Sequence, residues 1–178
     1  SMIKFKLEEG IKLPKFESAL ASGFDVVAHS IIKVYKGDKE VTGEKLDKVR
    51  QSFNERGYIK LRPFERVLFG TGLTLADINT SLEIQVRPRS GVSLKRGLFV
   101  ANSPGTIDAD YRGACGVIIY NSTPFLNQVD KGERIAQFVP ALVARISPEE
   151  ELGEITFTER GSSGFGSTGT IYNAKLPV

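Results

Sequence analysis

Polar and apolar residues alternate through residues 2–13, with Ile3, Phe5 and Leu7 set against Lys4, Lys6 and Glu8. A side-chain period of two gathers the apolar groups on one face, so this segment is predicted as a half-buried strand that ends at Pro14. A small-residue turn, Ala21-Ser22-Gly23-Phe24-Asp25, leads into Val26–Val34, a β-branched run that reads as a second strand. His29 lies within this run and reads as a hydrogen-bonded structural histidine. The period changes in residues 37–57. Leu46, Val49 and Phe53 fall at helical spacing, Glu44 and Lys48 form a favourable i,i+4 pair, Thr42 or Gly43 can cap the start, and Gly57 can end it. One surface helix of about three turns is predicted there, laying a narrow apolar stripe on a sheet.

From Tyr58 onward the pattern is short strands between turns: Tyr58–Leu61, Arg66–Phe69, Leu82–Val86, Leu98–Ala101, Val117–Asn121, Ile135–Val139 and Leu142–Ile146. Gly70-Thr71-Gly72, Ser90-Gly91, Pro104-Gly105 and Asn121–Pro124 punctuate them. Many short, evenly spaced strands indicate an all-β barrel or sandwich, not βαβ units. After Ser147 come an acidic run, Glu149-Glu150-Glu151, and the Gly/Ser-rich stretch Arg160–Gly169. The expected organisation is one β domain over 2–146, with a helical insertion at 37–57, and a C-terminal arm over 147–178 with little core of its own.

Composition narrows the function classes. The 178 residues, 40% hydrophobic and 25% charged, suit one soluble domain with a sizeable core. A net charge of +3 implies no generic nucleic-acid surface, yet suits a phosphorylated small molecule. No apolar run reaches the ~20 residues of a membrane helix. The N-terminus, with Ser1 read as a tag remnant ahead of Met2, lacks the features of a secretory signal. A single cysteine, Cys115, excludes an intrachain disulfide and reads as a small buried residue; with one histidine, a Cys/His zinc site is nearly excluded. The cytoplasm is the simplest compartment.

The stretch most like a site is Asn102–Gly113. A turn at Pro104-Gly105 precedes Asp108 and Asp110, which share a face if the chain is extended, and Tyr111, which a hairpin tip or bulge can re-aim. A short hairpin there would present an acid, a ring and free backbone groups together; an ordinary turn with solvated aspartates is the plain alternative. Arg89-Ser90-Gly91 joins a cation, a hydroxyl and a permissive backbone, and Gln137 in Gly132–Gln137 can donate an amide hydrogen bond. Pairing Ser90 with His29 as a nucleophile dyad is set aside, because no nucleophile elbow surrounds Ser90. In the tail, glycines let backbone N–H groups nest around an anion, Arg160 adds a planar cation and Phe165 a ring that can stack on a base. Composition alone leaves that reading level with a flexible low-complexity tail.

Taken in order, five stretches resemble the motifs of the trimeric dUTPase family: Ser22-Gly23-Phe24-Asp25-Val26; Pro88-Arg89-Ser90-Gly91; Gly105-Thr106-Ile107-Asp108-Ala109-Asp110-Tyr111-Arg112-Gly113; Gly132-Glu133-Arg134-Ile135-Ala136-Gln137; and Arg160-Gly161 with Gly164-Phe165-Gly166-Ser167-Thr168-Gly169. Together they span nearly the whole chain. The resemblance implies an all-β, jelly-roll-like β-barrel subunit, a homotrimer with active sites shared among three chains, and an arm that closes over a neighbour's site. It implies hydrolysis of dUTP to dUMP and pyrophosphate, which limits uracil in DNA and supplies dUMP for thymidylate synthesis. Asp108 would activate the water that attacks the α-phosphorus. Arg89, Ser90, Gly91, Gln137, Arg160, Gly164, Gly166 and Ser167 would hold the triphosphate. Gly105, Thr106 and Ile107 would offer backbone groups to uracil, with Asn102 adding a side-chain contact, Tyr111 lying under the deoxyribose and Phe165 stacking on the base. Mg2+ would bridge the phosphates, with Asp25 holding one of its waters. No nucleic acid or membrane partner is implied. A dCTP deaminase of the same fold and a nucleotide-sensing regulator are the competing readings. The first needs a catalytic glutamate whose motif is not found.

Overall fold

The computed structural model describes residues 2–169 and divides into two compact units, Ser1–Ala144 and Arg145–Val178. Residues 170–178 of the expected arm lie outside the described residues. The first unit is all-β with two helices. A six-stranded sheet contains β1 (Ile3–Leu7), β3 (Ser30–Lys36), β4 (Lys39–Glu40), β6 (Glu65–Ile78), β8 (Leu98–Val100) and β10 (Ala114–Asn121). A four-stranded sheet runs β2 (Phe24–Val27), β12 (Arg134–Leu142), β7 (Leu82–Pro88), β9 (Gly105–Ile107), and β5 (Tyr58–Leu61) pairs with β11 (Asn127–Asp130). The helices are α1 (Gly43–Arg56) and α2 (Ser90–Arg96). Among the described residues no helix is long and apolar enough to cross a membrane.

Alternation builds the core. Val67 and Phe69 of β6, Ile84 and Val86 of β7, Val117 and Ile119 of β10, and Phe138 of β12 are all buried in one contiguous cluster. The insertion is a helix of 14 residues, closed by a left-handed Gly57 whose N–H bonds the Phe53 carbonyl at 3.0 Å. Phe53 is buried against Phe69, so the stripe does pack on a sheet.

Several boundaries differ from the sequence expectation. The first strand stops at Leu7, and residues 8–13 continue as a strap held by the Glu8 N–H on the Gly72 carbonyl, 2.9 Å. The run Val26–Val34 is two strands, split at Ala28-His29, where the chain crosses from the four-stranded to the six-stranded sheet. Gly70-Thr71-Gly72 is no turn but the middle of the 14-residue β6. Here β6 exchanges one neighbour for another: β3 pairs up to Gly70 and β1 from Leu73. Side chains at either glycine would collide with Ser30 or Ile11, so small residues make the changeover possible. Ser90-Gly91 opens α2 instead of a simple turn, and Leu142–Ile146 is not a separate strand, since β12 runs unbroken to Leu142. Asp108 to Asp110 are not extended either. β9 ends at Ile107 and pairs with β7, so the segment before β10 is a loop between two sheets, not a hairpin.

Candidate active site

At one end of the four-stranded sheet, β2, β12 and β7 bring three of the five motifs side by side. Asp25 stands opposite Gln137, Gln137 opposite Arg87, and Ala136 opposite Pro88. Gly23 is required by proximity: a Cβ there would lie 2.7 Å from the Phe138 carbonyl oxygen. The Gln137 amide donates to the Pro88 carbonyl at 3.1 Å, which ties the second motif to the fourth. Arg89 follows β7 directly, and its Nε lies 3.2 Å from Asp25 Oδ1. Arg134 reaches the other carboxylate oxygen at 3.6 Å. A register shift between Arg134 and Ala136 marks a bulge, a device that re-aims side chains at strand ends. Glu133 pairs with Arg96 at the end of α2 and accepts the Asp130 N–H at 2.9 Å, fixing the loop that delivers Arg134. Ser90 and Gly91 are exposed beside this cluster.

A second group lines a cavity of about 320 Å3: Asn102, Gly105, Thr106, Ile107, Asp108 and Tyr111, backed by Ile32, Leu68 and Ile118 from the large sheet. The Asn102 amide lies over Gly105, within 3.1 Å of where a Cβ would stand. Asp108 closes a turn by accepting the Tyr111 N–H on its carbonyl, 3.1 Å, and its carboxylate is exposed. The Tyr111 hydroxyl donates to the Ala114 carbonyl at 3.1 Å, and Arg112 clasps the Ala109 and Tyr111 carbonyls at 2.7 and 3.0 Å.

These groups do not meet within one chain. β9 is antiparallel to β7, with Gly105 opposite Val86 and Ile107 opposite Ile84. Asp108 therefore continues away from Arg89, which lies five residues beyond Ile84, roughly 17 Å at strand rise. Arg160, Gly164, Phe165, Gly166 and Ser167 belong to the second unit. There a series of turns exposes the Phe165 ring, and Arg160 Nε donates to the Ser163 carbonyl at 3.0 Å.

Among the described residues no group of three or more His, Cys, Asp or Glu side chains converges to hold a metal. Both oxygens of Asp25 face guanidinium groups. His29 bonds Glu8 at 2.9 Å beside a larger cavity of about 650 Å3 under the strap, and Cys115 is buried, its thiol pushed up by desolvation, with a backbone hydrogen bond to Leu75 partly opposing.

A dUTPase family model matches residues 53–169. The deoxyuridine 5'-triphosphate nucleotidohydrolase of Fusobacterium nucleatum is 39% identical over 94% of this chain and 96% of its own length. The chain belongs to the dUTPase family. A second family member, from Chlamydia muridarum, is 40% identical over 92% of this chain and 95% of its own. In fold, the dUTPase of Staphylococcus bacteriophage 80alpha with dUPNHPP is similar at a TM-score of 0.68 and 21% identity, covering 95% of this chain and 99% of that one. A dUTPase from phage phi11 of S. aureus, described as coordinating a structural Mg(II) ion, is similar at a TM-score of 0.62 and 17% identity, covering 86% of this chain and 98% of that one. This dUTPase-family chain also carries a residue to which the sequence reading gave no role. Arg134 was quoted within the fourth motif, and only the geometry joins it to Asp25 and Arg89.

Proposed function

We infer that the chain is a dUTP diphosphatase that hydrolyses dUTP to dUMP and pyrophosphate in the cytoplasm, as a homotrimer with shared sites. The observation that carries the shared site is the separation along β7. Each chain holds a nucleoside-sized cavity with a free carboxylate at one end and an arginine cluster at the other. A neighbouring copy closes the gap by setting its arginines against this chain's Asp108. Leu68 and Ile118, opposite one another on the large sheet and half-buried, form the apolar back of that cavity.

In this reading uracil and deoxyribose enter the cavity of Asn102, Gly105–Ile107 and Tyr111. Edge-on backbone N–H and C=O groups match uracil and oppose the cytosine amino group. The Tyr111 ring leaves no room for a 2′-hydroxyl. The substrate is the magnesium complex of dUTP, its metal carried on the phosphates. Arg89, Ser90 and Gln137 of a second copy, joined by Arg134, neutralise and orient the triphosphate, and Arg160 with the glycine-rich arm of a third covers it, Phe165 stacking on the base. Asp108 holds the attacking water in line with the α-phosphorus and takes its proton as the bond to the bridging oxygen breaks, releasing pyrophosphate. A carboxylate is a weak base at neutral pH, so positioning and charge neutralisation supply most of the acceleration.

Asp108→Asn is expected to lower turnover by roughly 100- to 10,000-fold while a non-hydrolysable dUTP analogue still binds near its original affinity. Turnover unchanged in this variant would remove the assigned base. Ammonia from dCTP, with no pyrophosphate from dUTP, would move the reading to a deaminase.

A further inference from the structure

We propose that Asp25 is a positioning residue that fixes the guanidinium groups of Arg89 and Arg134 for the triphosphate, through its two carboxylate oxygens. The inference rests on the function proposed above and assigns how its phosphate end is built. Asp25 Oδ1 lies 3.2 Å from Arg89 Nε, and Oδ2 lies 3.6 Å from Arg134 Nη1. The two arginines are also tied directly, since Arg89 Nη1 donates to the Arg134 carbonyl at 3.3 Å. Arg134 Nη2 reaches Glu17 of the strap at 3.4 Å. The result is an alternating row, Arg89, Asp25, Arg134, Glu17, anchored where β2 meets β12.

Burial follows the assigned role. The Asp25 side chain is only 20% exposed, against 33% for Arg89 and 54% for Arg134. The carboxylate is the inner anchor, and the cations extend outward from it. Two guanidinium groups this close repel each other, and each is a long side chain with much rotamer freedom. A shared carboxylate relieves the first problem and limits the second. With Glu17 at its outer end, the row sets two positive charges against two negative ones. A guanidinium has five N–H donors, of which the contacts described engage about two on each arginine, so the remainder stay available to phosphate oxygens. An asparagine at position 25 keeps the shape but accepts through one oxygen only, and turns an N–H2 group toward a cation.

The test is a mutant cycle on the whole protein. The affinity of an α,β-imido dUTP analogue is measured by calorimetry for the parent, Asp25→Asn, Arg89→Gln and the double variant, each in Mg2+ and in EDTA. Asp25→Asn is expected to weaken binding about tenfold in EDTA as well as in Mg2+, and the double variant to lose less than the product of the two single losses. A loss seen only with Mg2+ would assign Asp25 to a metal-bound water and overturn the proposal. Losses that multiply in the double variant, or no loss at all, would overturn it too. Where binding in EDTA is too weak to measure, the cycle in Mg2+ decides by the same criterion. Should Asp25→Asn not fold, Asp25→Ser carried through the same cycle with Arg89→Gln reads the same coupling. A parent protein that neither turns over dUTP nor binds the analogue refutes the function itself, and this inference with it.

Discussion

Gly113 has no side chain because Tyr111 occupies the space. A Cβ there would overlap the tyrosine hydroxyl and sit 2.6 Å from ring atom Cζ. The ring is thus held by its hydrogen bond to the Ala114 carbonyl and by the bare backbone it folds over. Gly113→Ala must turn the ring out of its place. The expected outcome is a loss of roughly 10- to 100-fold in kcat/KM for dUTP, the size of effect a misplaced positioning group produces. Preference for dUTP over UTP should narrow at the same time, because the ring is the proposed barrier to a 2′-hydroxyl. Steady-state kinetics on both nucleotides checks this. At this scale the sequence singled out Asp108 and Arg89 as candidates because their side chains are chemically distinctive. It was silent on Arg134, because one arginine in a strand looks like any other until its partner is known.

Single elements were legible where one period dominates. The helical spacing of Leu46, Val49 and Phe53 marked α1, and Gly57 marked its end. What holds α1 down was not legible. Arg50 donates to the Ile31 carbonyl at 2.9 Å and the Ile32 carbonyl at 2.7 Å. The register of β3 on β6 shifts between Ile31 and Lys33 at that point, so the helix supplies hydrogen bonds beside a break in the ladder. Arg50→Met keeps much of the stem but leaves those carbonyls short of a donor. It is expected to cost about 1–3 kcal/mol, read as a lower urea midpoint with an unchanged slope. The failed expectations share one cause. Gly70-Thr71-Gly72 looked like a turn because glycine permits turns, yet here it permits close approach of neighbouring strands. At Asp108 to Asp110 the hairpin reading gave way to its plain alternative, a turn, because the partner of β9 is set by long-range pairing with β7.

At the scale of the molecule, the fold class followed from strand count and turn spacing, while the division of the site could be drawn only from the resemblance. The β7–β9 register, which aims Asp108 away from Arg89 within one chain, supports the division proposed above. A mixture of Asp108→Asn and Arg89→Gln chains provides the test. Unfolded together and refolded as mixed assemblies, the two inactive variants should regain activity at roughly a quarter of the sites, the chance that one copy brings the aspartate and its neighbour the arginine. A site completed within one chain would regain none.

In the proposed trimer, the length of β7 is a spacer that leaves a solitary chain without a complete site. Output per molecule should climb with abundance, being negligible while newly made chains are few and levelling off once they find one another. Under that proposal activity would carry a concentration threshold, set by how much of the protein has been made.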